Sequence, residues 1–167
     1  MADWFTKKKE DAINIIKRDH DQLKELFEEF EKTEEPSKRR QIAKRAIEDL
    51  KIHAVIEEEL FYPRVRAKVG DDTMNEADEE HHVAKVLVAE LDSMGPRASH
   101  FEAKFIVLAE SVRHHMKEEE TEMLPKARKA DLDFEEIGRE MLQRKEELRT
   151  EGFPPTSEEA MVAAAPK

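Results

Sequence analysis

At 167 residues the chain is long enough for one domain with a real core and too short for two comfortable ones. Charged residues make up 41%, aromatics 6%, and the net charge is −11, a balance that argues against nucleic acid or an anionic membrane surface as partner, since both need a basic footprint. Zero cysteines exclude a disulfide, a thiolate ligand and a cysteine nucleophile. No apolar run approaches the roughly 18 residues of a membrane span. The opening MADWFTKKKED carries lysines with no apolar stretch behind them, so it does not read as a secretory signal and the default compartment is the cytoplasm. Trp4 and Phe5 in that segment read as a packing or dimer contact.

The helical period decides the fold class. In the first segment Ile13, Ile16, His20, Leu23, Phe27 and Phe30 recur at spacings 3, 4, 3, 4, 3, the rhythm of a buried seam. The segment ends near Glu34, because Glu35 precedes Pro36 and is pushed out of helical geometry. Pro36 suits the first turn of a second helix. That helix carries Ala46, Leu50, His53, Glu57 and Leu60 on its seam and stops at Gly70-Asp71-Asp72, with Gly as C-terminal cap and Asp as the next N-terminal cap. A third helix aligns Met74, Ala77, His81, Ala84, Val88 and Leu91, closed by Gly95-Pro96. The fourth aligns Phe101, Phe105, Leu108, Val112, His115 and Glu119. Pro63 and Pro125 interrupt the second and fourth patterns, where a kink or local break is expected.

Short links between four long helices predict an all-α, up-down-up-down four-helix bundle over residues 1–131. Residues 133–150 read as an extra, mostly polar C-terminal helix, so 132–151 is assigned to it. From Gly152 onward, residues 152–167 read as a flexible tail or docking segment.

An internal repeat sharpens the picture. HAVIEEELFYP from His53 to Pro63 matches HMKEEETEMLP from His115 to Pro125, each with Glu at +4 and Pro at +10. HDQLKELFEEF from His20 matches HHVAKVLVAEL from His81 in pattern. The His-to-His gaps are 33 residues (20 to 53) and 34 residues (81 to 115). Each half is therefore one helical hairpin with three polar groups on its seam, and two such hairpins face to face put six groups round one pseudo-twofold axis.

Imidazole and carboxylate without sulfur suit iron, manganese or zinc. His and Glu at i and i+4 lie one turn apart on one helix face and can point at a single interior site. Burying two glutamates costs several kcal/mol each unless their charge is neutralised, and a pair of cations bridged by them does that. Four histidines and two glutamates are the supply for a dinuclear centre, whereas a structural zinc site needs only about four groups. A seam histidine alone is more often a hydrogen-bonded core residue; four on four helices, two with Glu at +4, overturn that reading.

The strings DHDQLKELF, HAVIEEELFYP, EEHHVAKVLVAEL and HHMKEEETEMLP resemble the four helix motifs of the hemerythrin / HHE cation-binding family, over roughly residues 10–130. Carried over, His20, His53 and His81 match the family's single histidines on helices one to three, Glu57 its bridging glutamate, and His115 with Glu119 the pair on helix four. The resemblance implies a hemerythrin-like bundle holding two iron ions, a non-haem di-iron centre with an oxo or hydroxo bridge, for which manganese or zinc can substitute. It implies a small-molecule ligand (dioxygen, peroxide or nitric oxide) bound or sensed in the bundle core of a monomer or homodimer. A peroxidase- or catalase-like enzyme protecting against peroxide, and iron storage, delivery or iron-centre repair, are the alternatives. One departure bears on them. Oxygen-carrying hemerythrins usually have a second histidine one turn along helix three, and here that position is Lys85.

Neighbouring polar residues have plainer readings. His82 and His114 lie about 100° round their helices from the seam and read as surface or supporting residues; His114 with Glu118 also has i, i+4 spacing, but the Pro125 register favours His115 and Glu119. His100 reads as solvated. Glu58, Glu59, Glu118, Glu120 and Glu122 form an acidic face, with Glu58 able to accept a supporting hydrogen bond. Tyr62 reads as packing near the Pro63 bend, or as a phenol near the metals.

Overall fold

A computed structural model describes residues 10–95 and 97–166; Trp4, Phe5 and Pro96 lie outside the described residues. Asp11 opens α1 (Ala12–Lys32) by accepting a hydrogen bond from the Asn14 amide at 2.9 Å, satisfying a backbone donor that every helix start leaves free. Pro36 occupies the first turn of α2 (Pro36–Ile56), where its missing N–H is not needed. The Glu35 carboxylate accepts from the Ser37 and Lys38 amides ahead of it, each at 2.8 Å.

The breaks expected at Pro63 and Pro125 are π-helical turns. α2 runs through one (Glu57–Phe61) into α3 (Tyr62–Val69), and α5 (Phe101–Glu118) runs through the other (Glu119–Met123) into α6 (Leu124–Ala127). The Tyr62 amide bonds the Glu57 carbonyl and the Leu124 amide the Glu119 carbonyl, five residues back instead of four. A proline has no N–H for the carbonyl four residues before it and its ring crowds that carbonyl, so the wider turn accommodates the change of register. Both turns start at the seam glutamate.

Gly70, at φ 103°, joins α3 to α4 (Asp71–Ser93) by itself. Asp71 and Asp72, expected as a cap, instead sit inside the first turn of α4, where their charge suits the positive end of the helix. The four rods α1, α2–α3, α4 and α5–α6 make the bundle, with α1 against α2 and α4 against α5. Its core falls into two apolar clusters. One holds Ile13, Ile16, Ile56, Phe61, Val65, Met74 and Leu124; the other holds Leu23, Phe27, Phe30, Leu50, Val88, Phe105 and Val112. The seam histidines and glutamates lie between them in sequence on every helix and form the layer that divides the core.

Asp133 caps α7 (Phe134–Glu151), its carboxylate accepting from the Glu136 amide at 3.0 Å. This helix packs on α1, α2 and the first π turn. Beyond Gly152, the segment read from sequence as a flexible tail or docking segment forms α8 (Ser157–Ala164) against α4, started by a capping box between Thr156 and Glu159. Among the described residues there is no strand, and no helix is long and apolar enough to cross a membrane.

Gly138 makes the docking of α7 possible: a Cβ there would stand 2.5 Å from the Glu10 carbonyl oxygen. Gly138→Ala is therefore expected to destabilise the protein by about 1–3 kcal/mol, lowering Tm by roughly 2–4 °C per kcal/mol. Gly95→Ala, whose Cβ meets nothing within 4 Å, should leave Tm unchanged. Thermal unfolding followed by circular dichroism separates the two; equal Tm values would refute the close approach of α7 to α1.

Candidate metal centre

α1 contributes His20, α2 His53, the first π turn Glu57, α4 His81, α5 His115 and the second π turn Glu119. None is more than 8% exposed. Their ligand atoms converge as two groups: His20, His53, Glu57 and Glu119 in one, Glu57, His81 and His115 in the other, the atoms of each within 4.8 Å of one another. Glu57 belongs to both groups. Its Oε1 faces His53 Nε2, and its Oε2 lies 3.9 Å from His81 Nε2. Glu119 Oε2 lies 3.2 Å from His20 Nε2 and 3.5 Å from His115 Nε2.

Six buried side-chain nitrogen and oxygen atoms among the described residues lack a hydrogen-bond partner, and five belong to this layer: His20 Nε2, His53 Nε2, both Glu57 oxygens and Glu119 Oε2. Stranding so many strong donors and acceptors in one place is costly unless something else satisfies them. Spacing points the same way. Two nitrogens each about 2.1 Å from one cation and at right angles stand about 3 Å apart, and His81 Nε2 and His115 Nε2 are 3.1 Å apart. The donor set therefore fits one or two cations of the borderline class.

Each imidazole turns Nε2 inward and Nδ1 outward to a carboxylate. His20 Nδ1 faces Glu120 at 2.8 Å, His53 Nδ1 faces Asp19 at 3.2 Å, His81 Nδ1 faces Glu58 at 2.9 Å, and His115 Nδ1 faces Glu80. A carboxylate on Nδ1 holds the proton there, fixes the ring and leaves Nε2 free as a donor to a cation. Three of these carboxylates carry a lysine in turn: Glu120 takes Lys24 at 3.3 Å, Glu58 takes Lys85 at 3.1 Å, and Asp19 takes Lys145 from α7. Lys85 thus sits outside the centre, holding a support for His81.

Tyr62 places its hydroxyl inside the layer, beside His81 and His115. Its Oη lies 3.1 Å from His81 Nε2 and 3.2 Å from His115 Nε2, and donates to Glu119 Oε1 at 3.2 Å. In α geometry residue 62 would stand about 140° round the helix from residue 57; five-residue bonding in the π turn brings it back towards the same face. Its counterpart in the second repeat is Leu124, a buried apolar residue, so the two repeats differ at this point.

The electrostatics are those of buried carboxylates held by imidazolium. Burial pulls the His53 pKa down, but Glu57 and Asp19 outweigh it and raise it from 6.5 to about 10. His115 behaves likewise, with Glu119 and Glu80 overcoming burial to raise it to about 10. Burial pushes Glu119 up, but His115 and His20 drive it well below the usual carboxylate range. Burial, then Glu119 and Glu57, hold the Tyr62 phenol well above 10, so it keeps its proton at neutral pH.

The neighbours fall outside the layer. His82 Nδ1 pairs with Glu158 of α8 at 2.8 Å, His114 pairs with Glu118 at 3.1 Å on the surface, and His100 touches Ser99 ahead of α5. Sequence reasoning missed Asp19, Glu80 and Lys145. Asp19 and Glu80 each stand beside a seam histidine, but as acids on charged helices they carried no signal without the ring they serve.

The hemerythrin HHE cation binding domain model matches residues 11–127. The chain belongs to that family. A relative from Nostoc sp. named DNA nickase is 32% identical over 108 residues, 65% of this chain. The match spans only 31% of that relative's length. The crystal structure of a hemerythrin HHE cation binding domain-containing protein from Mycobacterium kansasii superposes with a TM-score of 0.69, covering 86% of this chain and 95% of that one at 24% identity. That likeness speaks to the fold. The family is one of cation-binding domains, and the buried His/Glu layer is a group of side chains able to hold a cation.

Cation and proton compete for this layer, and the signs follow. With His53 and His115 raised from 6.5 to about 10, their stabilisation of the metal-free fold is fully present below pH 6.5 and lost as pH rises to about 10. Cation binding must expel those protons. Metal-free protein should therefore lose Tm between pH 6.5 and 10 while its cation affinity rises over the same range. Calorimetric titration in buffers of different ionisation enthalpy should read about two protons released per loaded centre; no release would refute the imidazolium assignment.

Proposed function

We propose that this HHE domain holds a carboxylate-bridged pair of iron ions and binds or senses dioxygen or peroxide there. The observation that carries the reading is the set of five unpartnered buried atoms at the centre of the bundle, ringed by imidazoles whose Nδ1 atoms are already committed. His20, His53, Glu57 and Glu119 would hold one ion. His81, His115 and Glu57, with the Tyr62 oxygen beside them, would hold the other. Such a pair supplies reversible redox chemistry and an affinity for oxygen ligands.

The surroundings suit a very small ligand. A cavity of about 50 Å3 reaches His53, His81 and His115 past Ala54, Ala84, Val88 and Val112. A water needs on the order of 10–15 Å3 of such space, so a diatomic or triatomic molecule fits. The apolar walls favour an uncharged guest. Tyr62 Oη, 3.1 Å from His81 and 3.2 Å from His115, keeps its proton beside the layer, which supports peroxide turnover as the second reading, because a phenol there could donate a proton to peroxide. The nicking activity in the Nostoc relative's name belongs to a protein about three times the matched length. The net charge of −11 offers a phosphate backbone no broad basic footprint, and nucleic acid is not part of the proposal.

Protein expressed in iron-replete medium should carry about two iron atoms per chain by elemental analysis and show near-ultraviolet charge-transfer bands. His115→Ala should lose at least half of the iron. A colourless, zinc-only protein would overturn the reading. Oxygen release from added peroxide, with His115→Ala as control, separates turnover from binding: a rate no faster than the control removes the enzyme reading. If turnover is found, Tyr62→Phe should slow it about 10²-fold, the scale of one lost acid–base group, with iron content retained.

A further inference from the structure

The inward face of α7 reads Ile137, Met141, Lys145 and Leu148, at spacings 4, 4 and 3, and all four are buried. Three are apolar, as a core-facing row requires; the fourth is a lysine. Its ammonium bonds Asp19 Oδ1, and the other oxygen of that carboxylate faces His53 Nδ1 at 3.2 Å. A single carboxylate therefore joins a charge on α7 to one imidazole of the core layer. Lys145 lies beyond residues 11–127, the span that the family model matches, so this charge comes from a helix outside the shared domain.

Stability does not account for the pair. Two ions taken from water each lose several kcal/mol of hydration, and well-packed apolar residues of similar volume are often as stable or more so. A methionine at 145 would continue the apolar row of α7 without that loss. Burial also sets this support apart from its counterparts. The Lys145 and Asp19 side chains are each 8% exposed, whereas Lys24 with Glu120 and Lys85 with Glu58 are between 27% and 38% exposed. Water and salt screen those outer charges. The field of Lys145 reaches the layer with the least screening.

We infer that Lys145 is a positioning residue of the core centre: through Asp19 it fixes the His53 ring and biases the ion held by His20, His53, Glu57 and Glu119 towards its lower oxidation state. Two effects act in one direction. A fixed positive charge nearby opposes the growth of positive charge on a cation. An ammonium that shares the Asp19 carboxylate also weakens the pull of that carboxylate on the Nδ1 proton, which makes Nε2 a less basic donor. The ferrous form gains over the ferric. This inference rests on the proposed iron pair.

The test is a spectroelectrochemical titration of the iron-loaded full chain. Lys145→Met should lower the midpoint potential, because a positive charge is lost. Asp19→Asn, which keeps an oxygen for His53 Nδ1 and removes a negative charge, should raise it. Each shift should be about tenfold in the ferric–ferrous equilibrium, which is about 59 mV for one electron. The double variant should lie between the two. If the lone Asp19 charge unfolds Lys145→Met, the double variant still reads the lost ammonium, by lying below Asp19→Asn. Lys24→Met, at a partly exposed support, should shift the potential far less. Circular dichroism verifies each fold, and elemental analysis the iron content. Shifts of both single variants in one direction, the mark of a merely loosened site, would overturn the assignment, as would shifts no larger than that of Lys24→Met. Cobaltous ion gives a reading that needs no iron. Its affinity, followed by visible absorption, should rise about tenfold in Lys145→Met and fall about tenfold in Asp19→Asn. Protein that binds cobalt in this pattern yet carries no iron would overturn the iron-pair reading and leave Lys145 in its role. Weaker cobalt binding in both variants would overturn that role whatever the iron content.

Discussion

Two glutamate carboxylates, Glu57 and Glu119, lie in the middle of an otherwise apolar core with essentially no exposed surface, and the rest of the molecule answers to that burial. An ionised carboxylate taken from water into a protein interior loses several kcal/mol of hydration, so each must be met by positive charge. Four imidazoles converge on the pair, and the fields of Glu57 and Glu119 help hold two of those rings protonated well into the alkaline range. Protons are the least specific cations that could do this. The same atoms, spaced about 3 Å apart, are able to hold metal ions in their place, which would tie stability, pH and metal loading to a single layer.

That layer is built outward as well as inward. An imidazole can serve a cation only if its ring is held, and each of the four is held by a carboxylate on its outer nitrogen. Helices outside the bundle take part in this support. Lys145 on α7 reaches Asp19, and Glu158 on α8 gathers His82 and Lys85, whose other partner is Glu58. The two C-terminal helices therefore brace the centre through charge as well as covering the bundle. Glu80 differs in that, among the described residues, it contacts no lysine or arginine beside His115.

Pseudo-symmetry accounts for the shape of the centre, and its breaking for the difference in residues between its halves. Both repeats carry Glu at +4 and Pro at +10, and both respond to the proline with a π turn that begins at the glutamate. Tyr62 in one repeat brings a phenol within 3.2 Å of two imidazole nitrogens; its counterpart Leu124 in the other repeat is an apolar core residue. The two hairpins thus differ at this point.

The six inward groups were legible in the sequence because helical geometry is local: seam spacing and i, i+4 offsets place His20, His53, Glu57, His81, His115 and Glu119 at one level before any packing is known, and Pro63 and Pro125 register the two halves. The bundle and its extra helix followed from the same period and the short links, and the match to the HHE family agrees. What lay beyond local geometry was decided by tertiary structure. Asp19 and Glu80 matter only because other helices bring His53 and His115 to them, across 34 and 35 residues, and Lys145 only because α7 brings it to Asp19, across 126. Tyr62 turns inward because the helix takes a five-residue bond before Pro63, a choice between two backbone registers that residue types alone leave open. The stretch after Gly152 becomes α8 because α4 offers Lys85 and His82 to its Glu158, and a short helix needs such a partner to form at all.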